Sequence, residues 1–283
     1  MTPDFLVVGH TARDLAPEGW RLGGTVTFAA VQAHRLGLRP GIVTRAAPDV
    51  IARLRDDLPF AEIVAPPTDV TGTFENVYEM GHRTQYLREH GAPIDADAVP
   101  AEWRAAPIVL LGPLWGELTP GFAEIFDSTS IVGVSAQGWL RDKHSDGRVY
   151  HTTWNGDPFW TGARVLFVSD EDLAGGPGQL DAWTSKVPIV SLTASSSGAR
   201  IHAQGAWREI QAFPETEVDP TGAGDTFATA FLIRLHETGD VADAARFGAA
   251  AASLSVGGIG ADAMPARAEV EERMRQYPDI RLR

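Results

Sequence analysis

The sequence contains no cysteine among its 283 residues. Disulfide bonds, iron–sulfur clusters and thiolate zinc sites are therefore excluded. Basic residues are also scarce, since 24 lysines and arginines stand against 37 acidic residues and give a net charge of -13. A general polyanion binder needs a basic face, so this balance argues against nucleic acid as a partner. One bound nucleotide is still compatible with it, because its phosphates need only a local site.

Long apolar runs are absent as well. No stretch reaches the roughly 18 consecutive apolar residues that a membrane span requires. The opening sequence MTPDFLVVGH has an acidic residue and no basic region before its short apolar run, which is unlike a secretory signal. We therefore expect a cytoplasmic protein with no membrane partner, and the length fits one domain over residues 1–283.

The chain does contain a series of short, nearly continuous apolar runs, typical of strands that are buried on both faces of a parallel sheet. The predicted strands are Phe5–Val8, Gly41–Thr44, Ile108–Gly112, Ile131–Ser135, Arg164–Ser169 and Ile189–Thr193. Segments of helical length lie between several of these runs. The predicted helices are Val26–Leu36, Pro48–Leu58, Pro120–Phe126 and Gly178–Lys186. Strands that alternate with helices predict an α/β fold with helices on both sides of the sheet.

One segment, Val70–Glu89, departs from this alternation. Phe74, Asn76 and Tyr78 recur at every second position, and the turn-like sequence EMGH precedes a second extended run. This pattern predicts a β-hairpin inserted in the α/β chain. The hairpin is either a simple surface feature or a lid that contacts a polar ligand.

The stretch DPTGAGDTFATAF, Asp219–Phe231, places two glycines at the entrance of a predicted helix. Glycine lets successive backbone N–H groups point at one spot, and a helix start adds unpaired donors and a partial positive charge. Together these features predict an anion site, most often one for phosphate. Asp225 falls in the first helical turn, where it is either a general base for phosphoryl transfer or simply a favourable charge.

Competing nucleotide motifs are missing. The sequence has no GxxxxGK[ST], no HRD and no DFG, and GAGDTF lacks the last glycine of GxGxxG. DPTGAGDTF instead resembles the C-terminal signature of the ribokinase-like (PfkB-type) carbohydrate kinase family, usually D-T-x-G-A-G-D. LGGTVTFAAVQAHRLGL is similar to the second signature of that family, and FLVVGHTARDL is similar to its first strand and loop.

The resemblance implies a ribokinase-like three-layer α/β/α sandwich with a mostly parallel sheet and a small β lid, here at about residues 68–90. It also implies a kinase that uses ATP and Mg2+ to phosphorylate a hydroxyl of a sugar, polyol or nucleoside. In such an enzyme Asp225 is the catalytic base. The amides of Gly222, Ala223 and Gly224 hold the charge that develops on the transferred group.

Further site residues are expected from the matching motifs, the lid and the strand ends. The expected substrate contacts are Asp14, Gly23, Gly24, Asn76, Arg83 and Gln137. The expected nucleotide contacts are Thr193, Ser195, Gly198, Thr221, Gly222 and Gly224. Asp172 is expected to bind Mg2+ in its outer shell, through water. Gln137 either contacts the ligand or bonds within its loop, and Arg141 either steadies phosphate or pairs with an acidic neighbour.

Five positions depart from the family pattern. The N-x-x-E motif appears as Ser169 and Asp172, and Ser195 replaces the first glycine of T-x-G-x-x-G. Phe28 stands where the second signature usually has asparagine, which suggests a more apolar substrate pocket. Ala249 replaces an asparagine of the C-terminal helix.

Two further expectations concern activity and partners. The altered positions leave open an alternative function, that of a ribokinase-like sensor or regulator that binds a metabolite and catalyses weakly. The lid is also a candidate for pairing in a homodimer. Phe74, Val77 and Tyr78 either serve that contact or face the substrate.

Overall fold

The computed structural model describes residues 1–17, 19–79, 82–156 and 161–283, without the side chains of residues 78, 79, 82, 83 and 177. The strands are β1 Phe5–Val8, β2 Ala12–Ala16, β3 Gly19–Gly23, β4 Pro40–Val43, β5 Glu62–Val64, β6 Thr73–Glu79, β7 His82–Glu89, β8 Ile108–Leu111, β9 Ile131–Ser135, β10 Arg141–Lys143, β11 Val149–His151, β12 Val165–Ser169, β13 Ile189–Thr193, β14 Ala199–Ala203 and β15 Ala206–Ile210. The helices are α1 Thr25–Arg35, α2 Pro48–Asp57, α3 Gly176–Thr184, α4 Ala223–Thr238, α5 Val241–Ser255 and α6 Arg267–Gln276.

Nine strands form one large sheet in the order β15-β14-β13-β12-β9-β8-β1-β4-β5. The strands from β13 to β5 pair in parallel, whereas β14 and β15 add an antiparallel edge. All six predicted apolar runs are strands of this sheet, within one residue at each end. The prediction of a mostly parallel α/β sheet is therefore confirmed.

Alternate residues of β1 show how the sheet separates two cores. Phe5 and Val7 lie in a cluster with residues of α1, α4 and α5, which covers one face. Leu6 and Val8 lie in a second cluster on the other face, together with Trp183 of α3. Successive side chains of a strand point to opposite faces, so a run of apolar residues builds both cores at once. The result is the expected three-layer arrangement.

Three of the four predicted helices are present with ends shifted by a few residues, as α1, α2 and α3. The helix predicted over Pro120–Phe126 is wrong, because only the short 3-10 turn Phe122–Ile125 forms there. The preceding Gly121 has a φ of 83°, and the chain before it is held by a hydrogen bond from the N–H of Ile94 to the carbonyl of Glu117. Too little chain is left for a longer helix. No described helix is long and apolar enough to cross a membrane.

A smaller four-stranded sheet, in the order β3-β2-β6-β7, leaves the main sheet directly after β1. Its antiparallel strands β6 and β7 form the predicted hairpin, with Asn76 paired to Gln85. The turn at residues 80–81 lies outside the described residues. Phe74 is only 3% exposed and packs in a cluster with Leu87. The expectation that Phe74 faces substrate or a partner subunit is therefore corrected, because its side chain is used inside the chain.

Candidate active site

The candidate site lies at the carboxyl edge of the large sheet. Because β1, β9, β12 and β13 run parallel, their carboxyl ends meet at this edge, which is where open α/β sheets bind ligands. Predicted site residues follow each strand: Asp14 after β1, Gln137 after β9, Asp172 after β12 and Ser195 after β13. The fold thus brings segments that are far apart in sequence to one side of the sheet.

Asp14, Gly23 and Gly24, the expected substrate contacts at the start of the chain, lie close together. A Cβ on Gly23 would overlap the Asp14 carboxylate, so that carboxylate lies directly against the Gly23 backbone. Gly24 has a φ of 93°, and a Cβ there would lie 2.5 Å from the carbonyl oxygen of His10. Position 24 needs glycine because of its positive φ and its approach to backbone, whereas a side chain at position 23 would displace the Asp14 carboxylate. The half-buried Asp14 is thereby presented beside the first turn of α1.

The predicted anion loop does end in a helix. Gly222 caps α4 with a φ of 81°, and the N–H of Thr226 donates to its carbonyl at 2.8 Å. Thr221 N–H donates to Asp219 Oδ1 at 2.9 Å, and the other carboxylate oxygen of Asp219 accepts from Gly260 N–H at 3.1 Å. The Ala223 N–H makes a long bond of 3.2 Å to the Pro220 carbonyl, for which a phosphate oxygen could compete. Asp219 therefore fixes the loop that precedes the helix entrance.

Phe28 supports this loop from beneath. Its side chain is only 5% exposed, and a Cβ on Gly222 would lie 2.5 Å from its ring. Phe28 is therefore packed under the loop, which corrects the expectation that it lines an apolar substrate pocket. The two glycine-rich signatures meet at this contact, because Phe28 belongs to α1 and Gly222 to α4.

Asp225 lies in the first turn of α4 and is half-buried. Burial raises the pKa of its carboxyl to about 6, although part of its surface remains accessible. A hydrogen bond from the Thr25 side chain and the charge of Arg141 both oppose this rise in the pKa. The carboxylate is therefore mostly ionised at neutral pH and still has an unusual affinity for a proton, as a general base requires.

A cavity of about 520 Å3 is lined by Arg141, the residue whose charge acts on Asp225. Gln137, Asp172 and Gln85 line the cavity. Two predicted site residues therefore lie in the same cavity wall as Gln85 of the β6–β7 hairpin. Asn76 is not among the residues that line the cavity, but its Oδ1 accepts a hydrogen bond from Gln85 Nε2 at 3.1 Å. The side chain of Arg83 lies outside the described residues.

Asp172 is the expected partner of Mg2+. It is 4% exposed, and its Oδ1 lies 3.5 Å from His151 Nδ1. Glu171 lines the same cavity. Among the described residues, no three His, Cys, Asp or Glu side chains form a group that could hold a metal. Mg2+ bound to phosphates keeps several waters and needs only one or two carboxylates, so this donor set fits a water-mediated contact.

Thr193, Ser195 and Gly198 share one turn after β13. Ser195 has a φ of 45°, in the left-handed region that favours glycine, so it keeps the backbone conformation suited to the glycine it replaces. A Cβ on Gly198, whose φ is 98°, would overlap the Ile210 carbonyl oxygen. The Thr193 hydroxyl makes a 3.4 Å contact to the Val168 carbonyl. The contact of this turn with nucleotide stays a prediction.

Sequence reasoning missed two residues that organise the site. Thr25 follows Gly24 directly, yet only the fold shows that its side chain reaches Asp225. Glu117 is 3% exposed and accepts hydrogen bonds from the N–H groups of His10 at 2.8 Å, Leu114 at 3.0 Å and Trp115 at 2.8 Å. Nothing in the local pattern WGEL separates Glu117 from a surface glutamate, whereas the position of Thr25 beside two site glycines was a usable signal.

Known proteins resemble part or most of the chain. A sequence model of the pfkB family of carbohydrate kinases matches residues 168–267. Ribokinase of Bacillus subtilis (strain 168) is 48% identical over 82 residues, which cover 29% of this chain and 28% of that protein. Inositol 3-kinase of Zea mays is 29% identical over 276 residues, which cover 88% of this chain and 72% of the maize protein. The match to the ribokinase thus spans less than a third of that ribokinase, whereas the match to inositol 3-kinase spans most of the maize protein.

Solved structures share the fold along almost the whole chain. A pyrophosphate-dependent kinase in the ribokinase family, complexed with a pyrophosphate analogue and myo-inositol, has a TM-score of 0.76 at 21% identity and covers 95% of this chain and 99% of its own. Ribokinase of Arabidopsis thaliana, complexed with ribose and ATP, has a TM-score of 0.73 at 22% identity, with coverages of 97% and 99%. The fold is therefore ribokinase-like. Residues 168–267 are similar to the pfkB family of carbohydrate kinases, and most of the chain is similar in sequence to inositol 3-kinase.

Proposed function

We propose that the chain transfers the terminal phosphoryl group of ATP to one hydroxyl of a small sugar, polyol or nucleoside. The observation that carries this proposal is that two residues, separated by one position, each contact a different carboxylate. Gly23 lies against Asp14, and Thr25 donates a hydrogen bond to Asp225. The stretch Gly23–Thr25 therefore holds a group suited to binding an alcohol next to a group suited to deprotonating one.

The acceptor lies between Asp14 and the hairpin of β6 and β7. Asp14 accepts a hydrogen bond from one hydroxyl and so orients the acceptor. Asp225 accepts the proton of the attacking hydroxyl, which its raised pKa favours. The amides of Gly222 and Gly224, at the positive end of α4, hold the charge that develops on the phosphoryl oxygens.

The donor extends along the sheet edge from α4 to the turn at Ser195. Thr193, Ser195, Gly198 and Thr221 are its proposed contacts. Mg2+, when bound, neutralises charge on the phosphates, and Asp172 holds its water ligands. The four-stranded sheet acts as a lid over the acceptor, with Arg83 and the Asn76–Gln85 pair on its strands.

The acceptor class is best searched among cyclic polyols first. The longest alignment with a named relative is with inositol 3-kinase of Zea mays, which covers 88% of this chain. Sugars and nucleosides follow, because ribokinase and cytidine kinase are also among the relatives. A sensor that binds a metabolite without turnover is the alternative. The raised pKa of Asp225 favours the kinase, because binding alone has no use for a poised base.

The deciding experiment measures ADP release from ATP over a panel of inositols, sugars and nucleosides with Mg2+ present. We expect turnover with at least one acceptor, and loss of that turnover in Asp225→Asn. Tight binding of one acceptor without ADP release would support the sensor instead. Residual ATP hydrolysis without acceptor serves as the background for each reaction.

A further inference from the structure

The hairpin of β10 and β11 has no role in the mechanism above, yet it borders the site. Its strands pair antiparallel, with Arg141 opposite His151. Its turn is attached to β7, because Leu87 N–H donates to the Gly147 carbonyl at 2.9 Å and Tyr86 forms an antiparallel bridge with Arg148. The hairpin is therefore held between the main sheet and the smaller sheet.

Most of the basic character of the neighbouring cavity comes from this hairpin. Four side chains of the 520 Å3 cavity wall belong to it: Arg141, His144, Arg148 and His151. The facing wall consists of Ser169, Glu171 and Asp172 after β12, with Thr84 and Gln85 of β7. Guanidinium groups stay charged at every relevant pH and match the geometry of phosphate oxygens. Such a cavity suits a small polyanion that also carries a cation on its acidic side.

The β10–β11 hairpin also extends from the proposed base, Asp225, to the acidic side of the cavity at Asp172. At one end, Arg141 is near enough to Asp225 for its charge to influence that carboxylate. At the other end, His151 Nδ1 lies 3.5 Å from Asp172 Oδ1. A ligand that contacts both Arg141 and Arg148, with a cation between it and the Asp172 wall, would carry linked anionic groups, as a diphosphate does.

We propose that Arg141 and Arg148 of this hairpin bind the diphosphate end of the phosphoryl donor, with Arg141 contacting the group that is transferred. This inference rests on the proposed kinase function and specifies how the donor is recognised. The shared chemistry is two linked phosphates, which ATP and inorganic pyrophosphate both supply. In either case the acceptor oxygen forms a bond to the terminal phosphorus and the bridging P–O bond breaks. The electron pair leaves with ADP or orthophosphate, and Asp225 takes the acceptor proton.

The test compares Arg148→Gln and Arg141→Gln with Lys143→Gln. Lys143 is exposed on the same hairpin and is not among the residues lining the cavity, so it is a matched control. Using an acceptor that the unaltered protein phosphorylates, the donor KM and acceptor KM are measured with ATP and with pyrophosphate. We expect Arg148→Gln to raise the donor KM about tenfold and leave the acceptor KM unchanged, since a charge-assisted contact to phosphate is lost. Arg141→Gln should also lower kcat, and Lys143→Gln should change neither.

The kinetics with ATP and with pyrophosphate either support the inference or overturn it. Turnover with pyrophosphate, or competitive inhibition of ATP-dependent turnover by it, supports a site for the diphosphate end. An unchanged donor KM in Arg148→Gln, or pyrophosphate that neither reacts nor competes, overturns the inference while leaving the kinase function intact. If no acceptor is phosphorylated with any donor, calorimetry of Mg-pyrophosphate binding still tests the hairpin. Binding weakened by Arg148→Gln and not by Lys143→Gln would support it, and equal binding by all variants would overturn it.

Discussion

The side chain of Thr25 donates a hydrogen bond to the Asp225 carboxylate and so joins the first turn of α1 to the first turn of α4. Thr25 is only 3% exposed, and a Cβ on Gly112 would overlap its side chain, so its position is tightly fixed. Since the preceding Gly23 lies against Asp14, movement of α1 would displace the acceptor site and the base together. The relationship makes Thr25 a positioning residue for the proposed base.

Thr25→Val tests this role because valine keeps the shape and removes the hydroxyl. A hydrogen bond to a charged group contributes about 1.5–3 kcal/mol, so we expect kcat/KM to fall roughly 10- to 100-fold. The bond lowers the pKa of Asp225, so its loss should also move the acid limb of the pH profile to higher pH. Thr25→Ser, which retains the hydroxyl, should restore both. An acid limb at the same pH in Thr25→Val would show that the bond does not tune the base.

Asp225→Asn should abolish most turnover and preserve the fold, because asparagine has nearly the same shape and cannot accept the proton. General base catalysis contributes about 10²–10⁴-fold, which sets the expected loss of kcat. In the unaltered protein, kcat/KM should fall as the pH drops below about 6, where the carboxyl becomes protonated. Near-normal kcat in Asp225→Asn would remove the residue from this role.

The same substitution should change how stability depends on pH. The pKa of Asp225 is raised from 3.8 to about 6 in the folded protein. Between these values the folded state binds more protons than the unfolded chain, so this group makes the free energy of unfolding fall as the pH rises. The effect totals at most about 3 kcal/mol, at 1.4 kcal/mol per pKa unit. The change in the free energy of unfolding from pH 4 to pH 8, measured with urea, should therefore be more positive in Asp225→Asn than in the unaltered protein, by up to about 3 kcal/mol.

Sequence patterns predicted the main sheet because its strands are short apolar runs buried on both faces, and burial leaves a direct mark on composition. They did not predict β14, whose residues alternate in burial, or the edge strand β15, in which only Ile210 is buried. The helix expected at Pro120–Phe126 failed because a tertiary bond at Glu117 fixes the preceding chain. Short-range pattern cannot register such a constraint.

Some residues of the candidate site could likewise be recognised from the sequence, and others could not. Glycines that need positive φ or close backbone approach, such as Gly24 and Gly222, could be recognised from sequence because few other residues fit. The substitution at Ser195 looked like a loss of function, yet its φ of 45° shows that the backbone conformation is kept. The contacts of Thr25 and Arg141 with Asp225 were not predicted, because these residues are 200 and 84 positions away from it in the chain.

The two glycines of the anion loop should respond differently to alanine. Gly222→Ala places a Cβ against the Phe28 ring at a φ of 81°, so we expect it to lower stability by about 1–3 kcal/mol, the cost of a strained backbone residue. Gly224→Ala meets nothing within 4 Å and lies inside α4, so it should stabilise the helix by about 1 kcal/mol. Thermal unfolding of both variants checks the difference. Equal destabilisation would contradict the placement of Phe28 beneath Gly222.

Glu117→Gln should destabilise the protein although it changes only one group. The buried carboxylate accepts hydrogen bonds from three backbone N–H groups, and an amide would turn an NH2 donor toward them. Leaving buried polar groups unsatisfied costs about 1–3 kcal/mol, which urea unfolding can resolve. Glu102→Gln, at an exposed position, is the matched control and should change little. Unchanged stability of Glu117→Gln would mean that the carboxylate is not required for these loops.

Gly23→Ala should act through Asp14. A Cβ at position 23 would occupy the space of the Asp14 carboxylate, so the side chain must move away from the acceptor. We expect Gly23→Ala and Asp14→Ala each to raise the acceptor KM by about tenfold or more, the scale of one lost hydrogen bond to a charged group. Because both changes remove the same contact, the double variant should be little worse than Asp14→Ala alone. Steady-state kinetics of the three variants with a fixed donor concentration measures this coupling. Fully additive effects would show that Gly23 and Asp14 serve the acceptor independently, and an unchanged acceptor KM in Asp14→Ala would place the acceptor elsewhere.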